Sequence, residues 1–449
     1  MLPARSRTEV VLGNETDTGA LTIEARTIQK VRIRIIPCIF LLYIVAFLDR
    51  INIGFAALTM NKELAITSQQ FGLLTGIFFI GYFLFEIPSN LLLHKIGARI
   101  WIARILISWG IVAMLTGFVQ NVSQLYVARF LLGLTEAGYF PGIVLYLTYW
   151  FPQREQARAI ALFMTAIPVA SILGAPVSGL ILDHVHWLGA GSWRWLLILE
   201  GIPAVAGGFL TYFLLPSRPA EAKFLTRDEK DGITTALARE EEQKRSQQQI
   251  SALQALANGR VWHLACIGFL LNIGMYAQSF WLPQLVKSVS AGYSNSVVGL
   301  LVMIPYLAGL AGMILVSRSS DRRLERKYHA AIPAIVSGIT FLSLGVTRSA
   351  FLSIGLLSFV VVGLYSLLGP LWALPSEFLT GFSAASGIAL ITSVGILGGF
   401  VGPYAVGLVR QRTGSLYGGL ALAGVSVLVS ATLVLLLPKR ARNNLGDSR

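Results

Sequence analysis

Long apolar stretches separated by short polar loops dominate the hydrophobic pattern of this chain. Windows of about 19 residues pick out stretches long enough to cross a bilayer, since about 20 apolar residues span about 30 Å of hydrocarbon. The twelve predicted spans are 35–57, 71–93, 101–119, 123–150, 158–182, 194–215, 261–284, 296–317, 330–347, 351–373, 383–408 and 416–437. The pattern therefore predicts an all-α integral membrane protein with twelve transmembrane helices.

The composition agrees with this pattern. Of the 449 residues, 55% are apolar and 13% are charged, and the mean hydropathy is +0.67, which excludes an ordinary soluble domain. The polar, basic segment before the first span lacks the apolar core and cleavage site of a signal peptide. We therefore expect the first span to be kept as a membrane helix.

The net charge of +14 would suit nucleic-acid binding, but its distribution argues against that partner. Basic residues gather in the tails and in alternate loops: Arg26, Lys30, Arg32, Arg34, His94, Lys95, Arg99, Arg154, Arg158, Arg318, Arg322, Arg323, Arg326, Lys327, Lys439, Arg440 and Arg442. All of these positions fall on one side of the membrane, which the positive-inside rule makes cytoplasmic. Arg410 and Arg412 are a minor exception. Both termini are therefore expected in the cytoplasm.

One long hydrophilic segment of mixed charge divides the predicted spans into two groups of six. The expected organisation is an N-terminal tail at 1–34, a six-helix bundle at 35–215, a partly helical cytoplasmic linker at 216–260, a second six-helix bundle at 261–438 and a C-terminal tail at 439–449.

The two bundles are predicted to be repeats of one unit. The loop after span 8 resembles the loop after span 2, with Asp321 opposite His94, and span 11 resembles span 5, with Pro403 opposite Pro176. Both pairs have the same offset along the chain. Parallel repeats of this kind are typical of transporters that bind substrate near the midplane, between the halves.

Ionisable side chains inside the spans are the candidates for function. Span 4 carries Arg129 and Glu136, although an ionised group at the membrane centre costs at least about 2.5–3.5 kcal/mol on insertion scales. Seven residues are close to two helical turns, so both side chains point the same way, roughly 10 Å apart along the axis. They are predicted to line one wall of a cavity, and a structural ion pair with a neighbouring helix is the alternative.

Span 1 carries an adjacent acid and base, Asp49 and Arg50. Their side chains diverge by about 100° on a helix, so we expect one to face a pore and the other a neighbouring helix. Glu86 and Glu200 complete the buried charge of the first half, and Glu200 is interpreted as structural. The second half offers aromatic and small polar residues instead: Asn272, Tyr276, Trp281, Tyr365, Trp372, Thr392 and Ser393. The first half is expected to handle charge and the second to shape the pocket.

Other activities lack their motifs. The sequence contains no Gly-x4-Gly-Lys-Ser/Thr motif, which a phosphate-binding loop needs. The five histidines lie in loops or at helix ends, and Cys38 and Cys266 lie in apolar surroundings without a metal-binding spacing. We therefore predict neither an ATP-driven pump nor an enzyme, and neither a cofactor nor a metal. A non-transporting sensor would usually carry a sizeable soluble signalling domain.

The polar motifs resemble those of the major facilitator superfamily and, in detail, its anion:cation symporter branch. The motifs are LDRIN at 48–52, EIPSNLLLH at 86–94, RFLLGLTEAGYFPG at 129–142, DRRLERK at 321–327 and GPLWALP at 369–375. The likeness covers about residues 26–440 and, within the branch, points to bacterial tartrate-type transporters. Wider relatives are permeases for sugar acids, phthalate and hydroxyphenylacetate.

The resemblance implies two pseudo-symmetric six-helix bundles and proton-coupled uptake of a small organic anion. It also implies alternating access by a monomer in the lipid bilayer of a bacterial inner membrane. On this basis Arg50 and Arg129 engage the substrate carboxylate, and Asp49 and Glu136 carry or sense the proton. Further residues expected at the substrate are Tyr82, Tyr276, Trp372 and Thr392.

The buried charges of span 4 also suggest a coupling mechanism. Burial disfavours the charged form of a carboxylate, whereas a nearby arginine favours it. A substrate carboxylate that binds Arg129 would compete with Glu136 for the positive charge, and Glu136 would then take up a proton. Arginine suits this task because it stays charged and binds a carboxylate through two parallel hydrogen bonds.

Alternating access also needs contacts that close the cytoplasmic side. The charged loops after spans 2 and 8 are predicted to form such latches, with Asp321 and Arg322 as the foremost candidates. The full set is Lys95, Arg99, Asp321, Arg322, Glu325 and Arg326. The alternative is that these charges only set the topology.

Departures from the pattern of the branch bear on the substrate. His94 and Asn90 replace the acid and glycine of the general superfamily, and Phe47 stands where some sugar-acid permeases carry a tyrosine. Thr392 and Ile396 stand where relatives often carry asparagines, which disfavours polyhydroxylated sugar acids. The predicted function is symport of tartrate or a related hydroxy or dicarboxylic acid. The alternatives are uptake of an aromatic acid, such as phthalate or hydroxyphenylacetate, and efflux by an antiporter of the same fold.

Overall fold

The computed structural model describes residues 8–246, 258–347, 349–378 and 382–438, and most of them are helical. Within these ranges, twelve helical spans have the length and apolar character needed to cross a membrane. They are Ala25–Glu63, Ser68–Ile96, Ala98–Thr116, Val122–Thr148, Gln153–His184, Ser192–Leu214, Gly259–Val289, Asn295–Arg323, Lys327–Val346, Ala350–Leu374, Gly387–Thr413 and Leu416–Leu436, called spans 1 to 12 below. Each overlaps one predicted span, so the prediction of an all-α multi-pass fold is confirmed.

Four of the spans are each broken into two helices. The pairs are Val122–Glu136 and Tyr139–Thr148 in span 4, Gln153–Met164 and Ala166–His184 in span 5, Ala350–Ser366 and Leu368–Phe378 in span 10, and Phe382–Ile396 and Gly398–Thr413 in span 11. Irregular backbone at membrane depth is tolerated where it is buried in protein or lines a cavity. The breaks therefore point to a cavity between the spans.

The linker contributes a further helix, Arg227–Ser246, which contacts span 1 and, through Glu240, the first residue of span 5. Lys30 Nζ lies 2.5 Å from Glu229 Oε1, and this hydrogen bond holds the pKa of Glu229 below its usual value. The ring of Phe224 stacks on Trp150 at 6.0 Å. This part of the linker is thus attached to the first half of the molecule.

The two halves meet through backbone contacts at the span ends that lie away from the linker, called the outer side below. A Cβ atom on Gly72 of span 2 would lie 2.6 Å from the carbonyl oxygen of Pro403 in span 11. A Cβ atom on Gly179 of span 5 or on Gly299 of span 8 would lie even closer to a backbone oxygen of the opposite half. Glycine at these positions allows the helices to approach until the halves are closed on the outer side.

Asp183 adds a polar clamp to the same closure. Its Oδ1 accepts hydrogen bonds from the backbone and side-chain nitrogens of Asn295, at 3.1 and 2.9 Å. Its Oδ2 accepts from the backbone nitrogen and hydroxyl of Ser296, both at 2.7 Å. The first backbone N–H groups of a helix lack partners within the helix and carry partial positive charge. A carboxylate of the first half therefore caps a helix of the second half.

Candidate substrate site

Close packing of spans 2 and 4 positions Glu136, the acidic residue of span 4. A Cβ atom on Gly133 would collide with the carbonyl oxygen of Phe78, and one on Gly81 would collide with that of Phe130. These two glycines therefore allow backbone contact between the spans. The contact places the second half of helix Val122–Glu136 beside the aromatic residues of span 2.

The helix ends directly after Glu136 for a local reason. Gly138 has φ +83°, in the left-handed region that favours glycine, and a Cβ there would collide with the hydroxyl of Ser89. Ser89 donates a hydrogen bond to the carbonyl oxygen of Ala137 at 2.7 Å and accepts one from Trp101 Nε1 at 3.0 Å. The Glu-Ala-Gly sequence and Ser89 of span 2 thus fix Glu136 at a helix end inside the membrane region.

Glu136 pairs with Arg50 of span 1. Arg50 Nη2 donates to Glu136 Oε1, and Nη1 lies 3.5 Å from the hydroxyl of Tyr276 in span 7. Arg50 and Glu136 are 6% and 1% exposed, so each depends on the other, because an unpaired buried charge costs several kcal/mol. The ion pair therefore joins spans 1 and 4 and contacts the second half through Tyr276.

Two buried guanidinium groups share the aromatic ring of Phe78. The guanidinium carbon of Arg50 lies 5.5 Å from the ring centroid, and that of Arg129 lies 5.2 Å from it. Arg129 is 1% exposed, and its Nε and Nη2 have no hydrogen-bond partner among the described residues. Arg129 and Glu136 were predicted to line one wall of the cavity together, but neither belongs to its lining, and Glu136 has Arg50 as its ion-pair partner.

Asp49 and Arg50 point in different directions, as their 100° separation on a helix requires. Asp49 Oδ2 accepts a hydrogen bond from Trp109 Nε1 in span 3 at 2.8 Å, and Oδ1 lies 3.4 Å from Asn52 Nδ2. Arg50 lines the cavity between the halves. Asp49 is therefore buried within the first half, behind the cavity wall.

The cavity has a volume of about 150 Å³ and lies between the two halves. Of the residues predicted to bind substrate, five line it: Arg50, Tyr82, Tyr276, Trp372 and Thr392. All four broken spans contribute lining residues next to their breaks, through Phe140, Met164, Leu368 and Ile396. The breaks therefore shape the cavity, as their position within the spans suggests.

The second half provides mainly walls. Thr392 Oγ1 donates to the carbonyl oxygen of Ala389 in its own helix at 2.9 Å, and Asn272 Nδ2 donates to that of Gly395 at 3.0 Å. The ring of Trp372 lies 6.5 Å from Phe140, and Trp372 is 36% exposed. Thr392 and Asn272 thus donate to backbone carbonyl oxygens of the second half, while aromatic rings such as that of Trp372 form the cavity surface.

Glu86 was predicted only as part of the buried charge of the first half, and it was not among the residues predicted to bind substrate or protons. The structure places Glu86 in the cavity lining, where its Oε2 accepts a hydrogen bond from Ser393 Oγ at 3.2 Å. Tyr43 and Phe140 also line the cavity. Aromatic residues are common throughout the spans, so no signal in the sequence singled these two out.

Two of the latch candidates after span 8, Asp321 and Arg326, form an ion pair with each other. Arg326 Nη1 lies 2.5 Å from Asp321 Oδ1 and 3.0 Å from Ser320 Oγ. Lys95 and Arg322 are exposed. The ion pair of Asp321 therefore lies within its own half in this conformation.

Glu325 caps the helix that follows it. It accepts hydrogen bonds from the backbone nitrogens of Tyr328 and His329 at 2.7 and 3.1 Å. Partial burial raises its pKa, but these hydrogen bonds outweigh the burial, so that the pKa of Glu325 lies below its usual value. On the other half, the guanidinium of Arg99 lies 5.8 Å from the ring of Tyr212.

The fold and the cavity between the two halves define a polytopic membrane transporter. Residues 39–403 match the family model of the Major Facilitator Superfamily. The chain belongs to the Major Facilitator Superfamily, and it is a transporter and not an enzyme.

Curated relatives and a solved structure agree with this assignment. A protein of Agrobacterium vitis, provisionally named a tartrate transporter, is 44% identical over 94% of this chain and 97% of its own length. The quinolone resistance transporter of Acinetobacter baumannii is 36% identical over 92% of this chain and 95% of its own. The xylose transporter XylE of E. coli, in a partially occluded inward-open conformation, has a TM-score of 0.72 at 16% identity and covers 91% of this chain and 98% of its own.

Proposed function

We propose that this protein is a secondary transporter that couples uptake of a small organic anion to proton entry by alternating access. The observation that carries the proposal is the buried ion pair of Arg50 and Glu136 beside a cavity that both halves line. A bidentate guanidinium group fits a carboxylate. The relatives named for tartrate support an anionic substrate.

Coupling follows from competition for one cation. A substrate carboxylate that binds Arg50 competes with Glu136 for this guanidinium group and displaces Glu136 from the ion pair. Without its partner, the buried Glu136 carboxylate favours the protonated form, so it binds a proton as the anion binds. Arg129 is a second cation for the anion in this proposal, since it is buried near the same ring and two of its nitrogens lack a hydrogen-bond partner in the described part of the chain. Asp49 is the second proton-linked carboxylate, held by Trp109.

The linker side is the cytoplasmic side in this proposal, with both termini there and a bacterial inner membrane around a monomer. The outer closure then faces the periplasm. Lys95, Arg99, Asp321, Arg322, Glu325 and Arg326 would form contacts between the halves when the cytoplasmic side closes. Their described ion pairs within one half suit a conformation in which that side is not latched.

A second candidate is transport of an aromatic acid, inward or as efflux. The cavity lining is largely apolar and aromatic, whereas tartrate carries two carboxylates and two hydroxyl groups. The likeness to a quinolone resistance transporter favours the efflux form of this candidate.

The test is uptake of labelled tartrate into proteoliposomes, with and without an inward proton gradient. Unlabelled phthalate, 4-hydroxyphenylacetate and galactonate serve as competitors. We expect gradient-stimulated uptake that one class of competitor blocks. Movement of an acid only by exchange against a preloaded acid or a cation would support the antiporter.

Glu136→Gln tests the proton site directly. We expect gradient-driven uptake to be lost while exchange or binding of the acid persists, because the amide cannot release a proton. Glu63→Gln is the matched control, since Glu63 pairs with Arg194 at the outer end of span 1, away from the cavity. Gradient-driven uptake that survives intact in Glu136→Gln would contradict the mechanism.

A further inference from the structure

Glu86 is a buried charge of the cavity that the coupling mechanism does not use. It lies in span 2, lines the cavity and is 6% exposed. Its Oε2 accepts one hydrogen bond, from the hydroxyl of Ser393 in span 11. A carboxylate offers about four acceptor positions, so a neutral hydroxyl leaves it with capacity for a further donor.

Glu86 and Arg50 lie at different levels of the same wall. The guanidinium carbon of Arg50 is 5.5 Å from the ring centroid of Tyr82, and Glu86 follows Tyr82 by one helical turn. One turn is about 5.4 Å, so Glu86 lies roughly that much further toward the linker side. Among the described residues that line the cavity, Arg50 and Glu86 are the two that carry a full charge, and their charges are opposite.

The surface around the two charges is apolar. Phe47, Phe140, Leu271 and Trp372 line it with rings and aliphatic groups. A pocket with few polar groups uses them to fix the orientation of its ligand, while the apolar walls cover the ligand's body. The charges at two levels therefore define two ends of a bound molecule.

We propose that Glu86 is a specificity-determining residue. It accepts a hydrogen bond from a donor on the substrate, and this bond replaces the one from the Ser393 hydroxyl. The site then fits an organic acid with one carboxylate for Arg50 and an apolar or aromatic body. It also needs a hydroxyl or protonated nitrogen roughly 5.4 Å, one helical turn, from the carboxylate. A second carboxylate at that end meets a buried like charge and is rejected. The inference rests on the proposed function and favours hydroxylated aromatic acids over dicarboxylates.

A purely structural role for Glu86 is the competing interpretation, in which it only joins spans 2 and 11 through Ser393. The two roles differ in what Ser393→Ala does. If Glu86 recognises substrate, removing the competing hydroxyl leaves the ranking of substrates unchanged. If Glu86 only joins the spans, Ser393→Ala and Glu86→Gln have equal effects.

The experiment compares three acids that differ only at the para position: 4-hydroxyphenylacetate, phenylacetate and 4-carboxyphenylacetate. Binding to purified protein and uptake into proteoliposomes are measured for the wild type, Glu86→Gln and Ser393→Ala, with thermal melting as the check on folding. We expect the wild type to prefer the hydroxylated acid over phenylacetate by about tenfold, the effect of one hydrogen bond to a charged group. In Glu86→Gln this preference falls to about threefold or less, and 4-carboxyphenylacetate gains affinity.

The outcomes separate the inference from the function on which it rests. An unchanged ranking in Glu86→Gln, or equal shifts in both variants, overturns the role of Glu86 and leaves the transporter of organic anions intact. A wild type that neither binds nor moves any of these acids, nor tartrate, overturns the proposed function, and the role of Glu86 with it.

Discussion

The two halves of the transporter share a fold but divide the polar work unequally. Three contacts between them join a charged side chain of the first half to neutral groups of the second: Arg50 to Tyr276, Glu86 to Ser393, and Asp183 to Asn295 and Ser296. The Asn272 amide and the Thr392 hydroxyl, which also line the cavity, donate instead to backbone carbonyl oxygens of the second half. Repetition of a helical unit thus supplies the shape, and the first copy carries the charges that line the cavity and take part in these contacts.

The strongest test of this division changes the cation of the first half. In Arg50→Lys the charge remains but the guanidinium fork is lost, so we expect uptake to fall at least about a hundredfold. Arg50→Ala leaves Glu136 buried without its partner, which costs about 3–5 kcal/mol and should lower the melting temperature. Arg410→Lys, at the outer end of span 11 beside Gln284, is the matched control and should keep most of the uptake. If Arg50→Lys and Arg410→Lys lost uptake equally, the conclusion that the first half carries the charge that binds substrate would be wrong.

Breaking the clamp at Asp183 should have an intermediate effect. Asp183→Ala removes several hydrogen bonds to a charged group, each worth about 1.5–3 kcal/mol, so the outer side should open more often. Spin labels at Trp187 and Tyr293, in the outer loops of the two halves, would report a second, longer distance. Both native cysteines would first be replaced by serine. A distance distribution identical to that of the parent protein would show that the glycine contacts close the outer side unaided.

The smallest expected effect belongs to a neutral partner in the second half. Tyr276→Phe removes only a hydroxyl 3.5 Å from Arg50 Nη1 and keeps the ring that packs on Phe79 at 4.4 Å. We expect the KM for the anion to change by about fivefold or less, with kcat nearly unchanged, because a long neutral contact contributes little. A loss as large as that of Arg50→Lys would mean that the second half also carries recognition.

The sequence predicted more of the fold than of the site. Twelve spans followed from hydropathy, because apolar length is a local property of the chain. The partner of Glu136 did not: spacing placed Arg129 on the same face, whereas contact between Gly133 and Phe78 and the helix break at Gly138 place Glu136 beside Arg50 of another span. Which charge meets which depends on how helices pack, and no local pattern records it. The divergence of Asp49 from Arg50 was predictable because both lie on one helix.

The glycines of the contact on the outer side make the transporter sensitive to substitution there. A methyl group on Gly72 would lie 2.6 Å from the carbonyl oxygen of Pro403 and 3.0 Å from the Cα of Tyr404. Backbone atoms cannot rotate away as a side chain does, so the two halves would have to part. A single alanine at this position is therefore expected to hold the two halves apart and to keep the outer side open. The binding site would then stay exposed to the outer side of the membrane, and the change of conformation that the proposed transport cycle needs would be blocked.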